Sequence, residues 1–144
     1  PYFKNFNKRL LKSPKLYFYD TGLACYLLRV TDAQALSNHP ARGALFENFI
    51  INELLKSRFN AGQRSNLYYW RDRSGNEVDV LIDEGVKLTP VEIKSGQTIT
   101  ADYFKGLKFW EKLTGKSGGL VFYAGEAQQK RSDGIVVKNW LEVA

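Results

Sequence analysis

The chain has 144 residues, 44% hydrophobic and 14% aromatic, enough to bury the core of one domain and too few for two ordinary ones. Its net charge of +6 suggests nucleic acid, yet Lys4, Lys8, Arg9, Lys12 and Lys15 all precede the first acidic residue, Asp20, and the rest is almost balanced, so the domain as a whole is not basic. No apolar run could cross a bilayer as a helix and no signal peptide opens the chain, while Cys25, the single cysteine, excludes a disulfide framework and fits a reducing, cytoplasmic setting.

The chain begins at Pro1 and contains no methionine, so it reads as a piece of a longer protein. Residues 1–14 are expected to be the tail of an upstream region or a linker to it. Their positive charge suits either a phosphate-gripping arm or a solvated connection. Residues 15–144 form the domain proper. Lys15 to Tyr19 is aromatic-rich and predicts a short strand. Asp20 is an N-cap candidate for a helix through Leu28, and the polar stretch 31–39 reads as a loop.

From Pro40 to Phe59 the pattern is helical, with Leu45, Phe46, Phe49, Ile50, Leu54 and Leu55 forming a broad apolar stripe. Three strands follow, over 66–71, 77–82 and 88–94. Turns at 74–76 and 83–85 separate them, so they should form an antiparallel meander. Thr100 begins an amphipathic helix over 101–113. Residues 118–123 (GGLVFY) predict a strand buried on both faces and 134–137 a last strand, before a final turn around Trp140 and Leu141. The order implies an α/β domain, one mixed sheet flanked by helices.

Strand alternation gathers the chemistry. Glu77 and Asp79 should share one face of their strand, with Val78, Val80 and Ile82 on the other. On the next strand Glu92 and Lys94 share a face opposite Val91 and Ile93. If the two strands pair, Asp79, Glu92 and Lys94 converge. Two carboxylates offer hard oxygen donors to Mg²⁺ or Mn²⁺, and a lysine beside them can stabilise charge developing on phosphorus. Glu47 lies on the apolar side of its helix, three, four and seven residues before Ile50, Ile51 and Leu54. A buried carboxylate needs a partner, which a metal-holding cluster or a structural ion pair would supply. Taken alone, an E-x-K on a strand is commonly no more than cross-strand charge pairing.

Glu47, then Asp79, then Glu92-Ile93-Lys94 resembles the PD-(D/E)XK, or restriction-endonuclease-like, superfamily in order and context. More narrowly, KSPKLYFYDTGL (12–23), GALFENFIINEL (43–54), YYWRDRSGNEVDVLI (68–82) and VEIKSG (91–96) resemble the domain of unknown function found at the C-terminus of many prokaryotic AAA+ ATPases. The resemblance implies a restriction-endonuclease-like mixed sheet, Asp79, Glu92 and Glu47 as ligands of Mg²⁺ or Mn²⁺, and Lys94 as catalytic lysine. It also implies an upstream ATPase domain with a winged-helix-like connector. The proline of the superfamily's name is absent, because Val78 precedes Asp79. No P-loop motif occurs, so this stretch has no nucleotide site of its own.

Arg71 and Arg73 flank the turn before Asp79 and are candidates for phosphate contact, or plain solubilising charge. Glu77 could assist the metal or pair with Arg71. Gln97 could orient a water or begin a loop. Tyr68, Tyr69 and Trp70 read as core, and His39 and Cys25 as incidental. The expected function is metal-dependent phosphodiester hydrolysis of nucleic acid, DNA favoured over RNA. The alternative is a catalytically inactive module that binds nucleic acid or docks a partner for the attached ATPase.

Overall fold

A computed structural model describes residues 1–2 and 14–143, so nearly all of the expected N-terminal tail lies outside the described residues. Helix α1 (Thr21–Leu27) starts where Asp20 caps it, its carboxylate accepting from Leu23 N–H at 3.0 Å. The loop expected over 31–39 instead holds a short helix, α2 (Ala33–Asn38), because Asp32 caps it in the same way through Ala35 N–H at 2.8 Å. Helix α3 (Arg42–Asn60) begins two residues after Pro40.

The strand expected over 15–19 does not form. That backbone is extended but finds side chains rather than a neighbouring strand. Asn48 of α3 accepts from Phe18 N–H at 2.7 Å and donates to Phe18 O at 2.9 Å, and Asn52 donates to the same carbonyl at 2.7 Å. Both asparagines are buried, and this clip satisfies them and the segment together.

The meander forms as expected, from β1 (Leu67–Arg71), β2 (Glu77–Asp83) and β3 (Leu88–Lys94), all antiparallel. The helix expected over 101–113 divides into a 3-10 turn over Ala101–Phe104 and α4 (Lys105–Thr114). Gly115, at φ 70°, closes α4 in the left-handed conformation that favours glycine. The crossover through α4 sets β4 (Gly119–Tyr123) parallel to β3. A two-residue β5 (Gln129–Lys130), not expected from sequence, then pairs antiparallel with β6 (Ile135–Asn139). The six-stranded mixed sheet runs β1-β2-β3-β4-β6-β5, an α/β fold.

Both faces of the sheet are covered. Ile50 and Ile51 of α3 pack on Val80, Val91, Ile93 and Phe122. On the opposite face the 3-10 turn and α4 bring Tyr103, Phe104 and Leu107 onto Val121, Tyr123 and Val137. Next to that cluster Trp110 meets Trp70 edge-to-face at 5.8 Å, beside Val78 and Leu81. Among the described residues no helix is long and apolar enough to cross a membrane.

Candidate active site

The site grows from an irregularity in β2. Tyr68 pairs with Leu81 and Trp70 with Val78, so two steps along β1 match three along β2. The extra residue is a β-bulge at Asp79 and Val80, a device that re-aims side chains. It overturns the expected alternation. Val78 packs with Trp70, Leu81 and Trp110 on the α4 side, whereas Val80 packs with Ile50 and Val91 on the α3 side. Asp79 therefore does not reach Glu92 by sharing a flat face with it. The β2–β3 ladder ends at Val80 and Val91. Beyond it the Asp79 carboxylate takes over the pairing, Oδ2 accepting from Ile93 N–H at 2.8 Å.

On β3 the alternation holds. Val91 and Ile93 face α3, while Glu92 and Lys94 face the other side. That side is not open. Glu92 is only 6% exposed, and a Cβ on Gly106 of α4 would lie 2.5 Å from its Oε2 and 2.7 Å from Glu77 O. Glycine at 106 is what lets α4 lie this close. Lys94 Nζ pairs with Glu92 Oε1 at 2.7 Å, and Glu92 Oε2 is buried without a hydrogen-bond partner.

These carboxyls are held high. Burial, then the Asp79 charge, pushes Glu92 up to about 7, against the pull of Lys94. Burial, then Glu47, pushes Asp79 up to about 6, opposed by the Ile93 amide, Lys94 and Lys15. Burial alone would pull the Lys94 ammonium down, but Glu92 and Asp79 outweigh it and leave it raised.

Glu47 is half-buried and does have partners. Its Oε1 accepts from Tyr17 Oη at 2.7 Å and from Lys15 Nζ at 3.1 Å. Lys15 also pairs with Glu77 and lies over the Tyr69 ring, 5.4 Å from its centroid. Glu77 meets Arg71 as well, at 3.6 Å. Burial opposes the Lys15 ammonium, yet Glu77 and Glu47 leave it raised. Burial and Glu47 push the Tyr17 hydroxyl up, so it stays protonated. A cavity of about 220 Å³ on this side is walled in part by Lys15, Tyr17, Ile51, Tyr69, Asp79 and Val80.

The structure thus brings Asp79, Glu92 and Lys94 together, with Glu47 acting on Asp79 from α3. Arg71 reaches the rim through Glu77, whereas Arg73 is exposed in the β1–β2 turn. Gln97 lines a separate apolar cavity with Phe46, Phe49 and Trp140. Tyr69 and Trp70 are buried and Tyr68 is 41% exposed. His39 Nδ1 accepts from Ala41 N–H, ending α2's connection to α3. Sequence reasoning missed Lys15 and Tyr17 as parts of the site, since Lys15 counted only as basic-arm charge. The one signal for them was their place in the first resembling motif, KSPKLYFYDTGL.

Among the described residues no three Asp, Glu, His or Cys side chains converge as a ready-made metal cage. Mg²⁺ rarely uses one. It takes one or two carboxylates and fills its octahedron with water and phosphate. Asp79 and Glu92 fit that demand, and the bare Oε2 of Glu92 is a buried acceptor of the right kind.

Residues 42–142 match the family described as Domain of unknown function (DUF4143), a span that contains Glu47, Asp79, Glu92 and Lys94. Residues 1–34 match a second one, Domain of unknown function (DUF8612), and that span contains Lys15 and Tyr17. The uncharacterized protein Rv2008c of Mycobacterium tuberculosis is 36% identical over 98 residues, covering 68% of this chain and 21% of the relative. The uncharacterized protein Mb2031c of Mycobacterium bovis matches with the same figures. The matched stretch is thus about a fifth of these curated relatives. No solved structure matches the chain.

Proposed function

The chain belongs to the DUF4143 family of domains of unknown function, and we propose that its site is a metal-dependent phosphodiesterase centre of the PD-(D/E)XK type that acts on nucleic acid. The observation that carries this reading is Glu92: a buried carboxylate with one oxygen on Lys94 and the other unpartnered, beside an Asp79 that a bulge has turned toward β3. A buried charge left half-satisfied and pushed up to about 7 is poor design for stability and good design for receiving a cation.

In this reading Asp79 and Glu92 hold Mg²⁺ or Mn²⁺, which supplies polarisation of the phosphodiester and a more acidic bound water. Lys94 stays charged at neutral pH and sets its ammonium where negative charge develops on phosphorus. Glu47, which the resemblance made a third metal ligand, has its Oε1 taken by Tyr17 and Lys15 and in this reading is the outer carboxylate acting on Asp79. Arg71 and Arg73 are the phosphate-contacting candidates of the β1–β2 turn. A DNA substrate and the upstream AAA+ ATPase belong to this proposal with the family resemblance behind them, and the cytoplasmic setting belongs to it through the single cysteine.

One observation favours the second reading, a catalytically silent module that binds nucleic acid or a partner. Glu47 and Glu77 already share the Lys15 ammonium, so part of the acidic cluster is neutralised from within. A nicking assay on supercoiled plasmid with Mg²⁺ or Mn²⁺ separates the two, run beside Glu92→Gln and Lys94→Ala and repeated with RNA. The enzyme reading expects nicks that disappear in both variants. Equal cleavage by wild type and variants, or none by any form, refutes it.

A further inference from the structure

The acidic residues around β2 fall into two groups that are treated differently. Asp79 and Glu92 sit at the β2–β3 junction, with Lys94 satisfying only one of the Glu92 oxygens. Glu47 and Glu77 come from α3 and the start of β2, and a single ammonium joins them: Lys15 Nζ, 3.1 Å from Glu47 Oε1 and paired with Glu77 Oε1. That ammonium is not a loose surface charge. Its side chain is 26% exposed, its charge lies over the Tyr69 ring, and its backbone is fixed through Phe18, which Asn48 and Asn52 clip to α3.

We propose that Lys15 is the built-in second cation of this site: its ammonium fills the seat between Glu47 and Glu77 that a second divalent ion would otherwise take, so the site binds one metal ion and not two. The inference rests on the metal-dependent reading and deepens it, since two-metal sites clamp both the attacking and the leaving oxygen of a phosphoryl group, and one-metal sites leave one of those tasks to side chains.

Charge supports it. When ionised, Glu47, Glu77 and Glu92 pair with Lys15, Arg71 and Lys94, and Asp79 feels the charges of Lys94 and Lys15 without a direct ion pair. One negative charge is left uncompensated, which a single divalent ion more than answers. A second ion placed between Glu47 and Glu77 would have to displace Lys15 or lie against it. Two cations a few ångströms apart in a half-buried site repel strongly. Without Lys15 the pair on α3 and β2 keeps its oxygen donors, and the cation left beside it is Arg71, 3.6 Å from Glu77 Oε2. Lys15 also lies in the span matching a different family from the one that holds the carboxylates, so the seat is closed by a segment outside the DUF4143 match.

The test is Mn²⁺ stoichiometry on the whole chain at pH 8, followed by the loss of the free-ion electron paramagnetic resonance signal and by calorimetry. Wild type should bind one ion, Glu92→Gln none, Lys15→Arg one, and Lys15→Ala two. Lys15→Met keeps the aliphatic stem over Tyr69 and should also bind two, which guards against a packing defect in the alanine variant. Circular dichroism melts confirm that each variant is folded. Two ions in wild type, or one ion in folded Lys15→Ala and Lys15→Met, overturns the inference while leaving the metal-dependent reading standing. No ion in wild type overturns both.

Discussion

Replacing Glu92 by glutamine should stabilise the metal-free protein at alkaline pH. Glu92 titrates at about 7 in the folded chain against 4.5 for a free side chain. At 1.36 kcal/mol for each tenfold change in proton affinity, the ionised carboxylate costs the fold about 3 kcal/mol. Because the folded value is raised, the stability due to this carboxyl is fully present below pH 4.5 and is lost as the pH climbs through 7. Glutamine keeps the shape of the protonated acid and cannot ionise. The loss of the Lys94 ion pair is already contained in the figure, since Lys94 opposes the shift. In chelator at pH 8, urea unfolding followed through the buried Trp70 and Trp110 should therefore show Glu92→Gln more stable by about 2–3 kcal/mol. The gain should shrink to nothing by about pH 4.5. Adding Mn²⁺ should raise the stability of wild type alone. A Glu92→Gln protein less stable than wild type at pH 8, or an advantage that stays constant between pH 5 and 8, would refute the claim that this carboxylate is held in a strained, cation-seeking state.

Two further outcomes follow from the packing around the site. Gly106→Ala should lose about 1–3 kcal/mol in the same urea assay, because the new methyl meets the Glu77 carbonyl and the Glu92 carboxylate inside contact distance; a variant as stable as wild type would mean that α4 does not press on the site. Asn48→Ala removes the acceptor of Phe18 N–H and donors to Phe18 O and Thr21 Oγ1, so it should cost about 2–3 kcal/mol and speed proteolytic nicking near the 86% exposed Leu16. Unchanged nicking would show that the clip does not hold the 15–19 segment.

The features legible in the sequence are those governed by neighbours a few residues away. Helical periodicity marked α3 and the amphipathic part of α4, and turn residues marked the meander. The two-residue period of β3 put Glu92 and Lys94 on one side. Local signals also misled where a partner from elsewhere was decisive. The 15–19 segment has strand composition, but its backbone polar groups are met by Asn48 and Asn52, so no strand is needed. Alternation placed Val78 with Val80, yet the pairing of β2 with β1 inserts a bulge that separates them and turns Asp79 toward Ile93. The capping aspartate at 32 was present in the sequence, but the polar run around it read as loop.

What the sequence by itself determined is the set of chemical groups and their local spacing: two carboxylates and a lysine on adjacent strands, and one misplaced glutamate on an apolar helix face. What only the tertiary structure decided is who neutralises whom. Glu47 is answered by Lys15 and Tyr17 from thirty or so positions away, Glu92 is sealed beneath Gly106, and β4 runs parallel to β3 because a helix carries the chain back over the sheet. Hydrogen-bonding period and side-chain direction are properties of a few consecutive residues, whereas burial and charge pairing depend on surfaces that exist only once the chain has closed on itself.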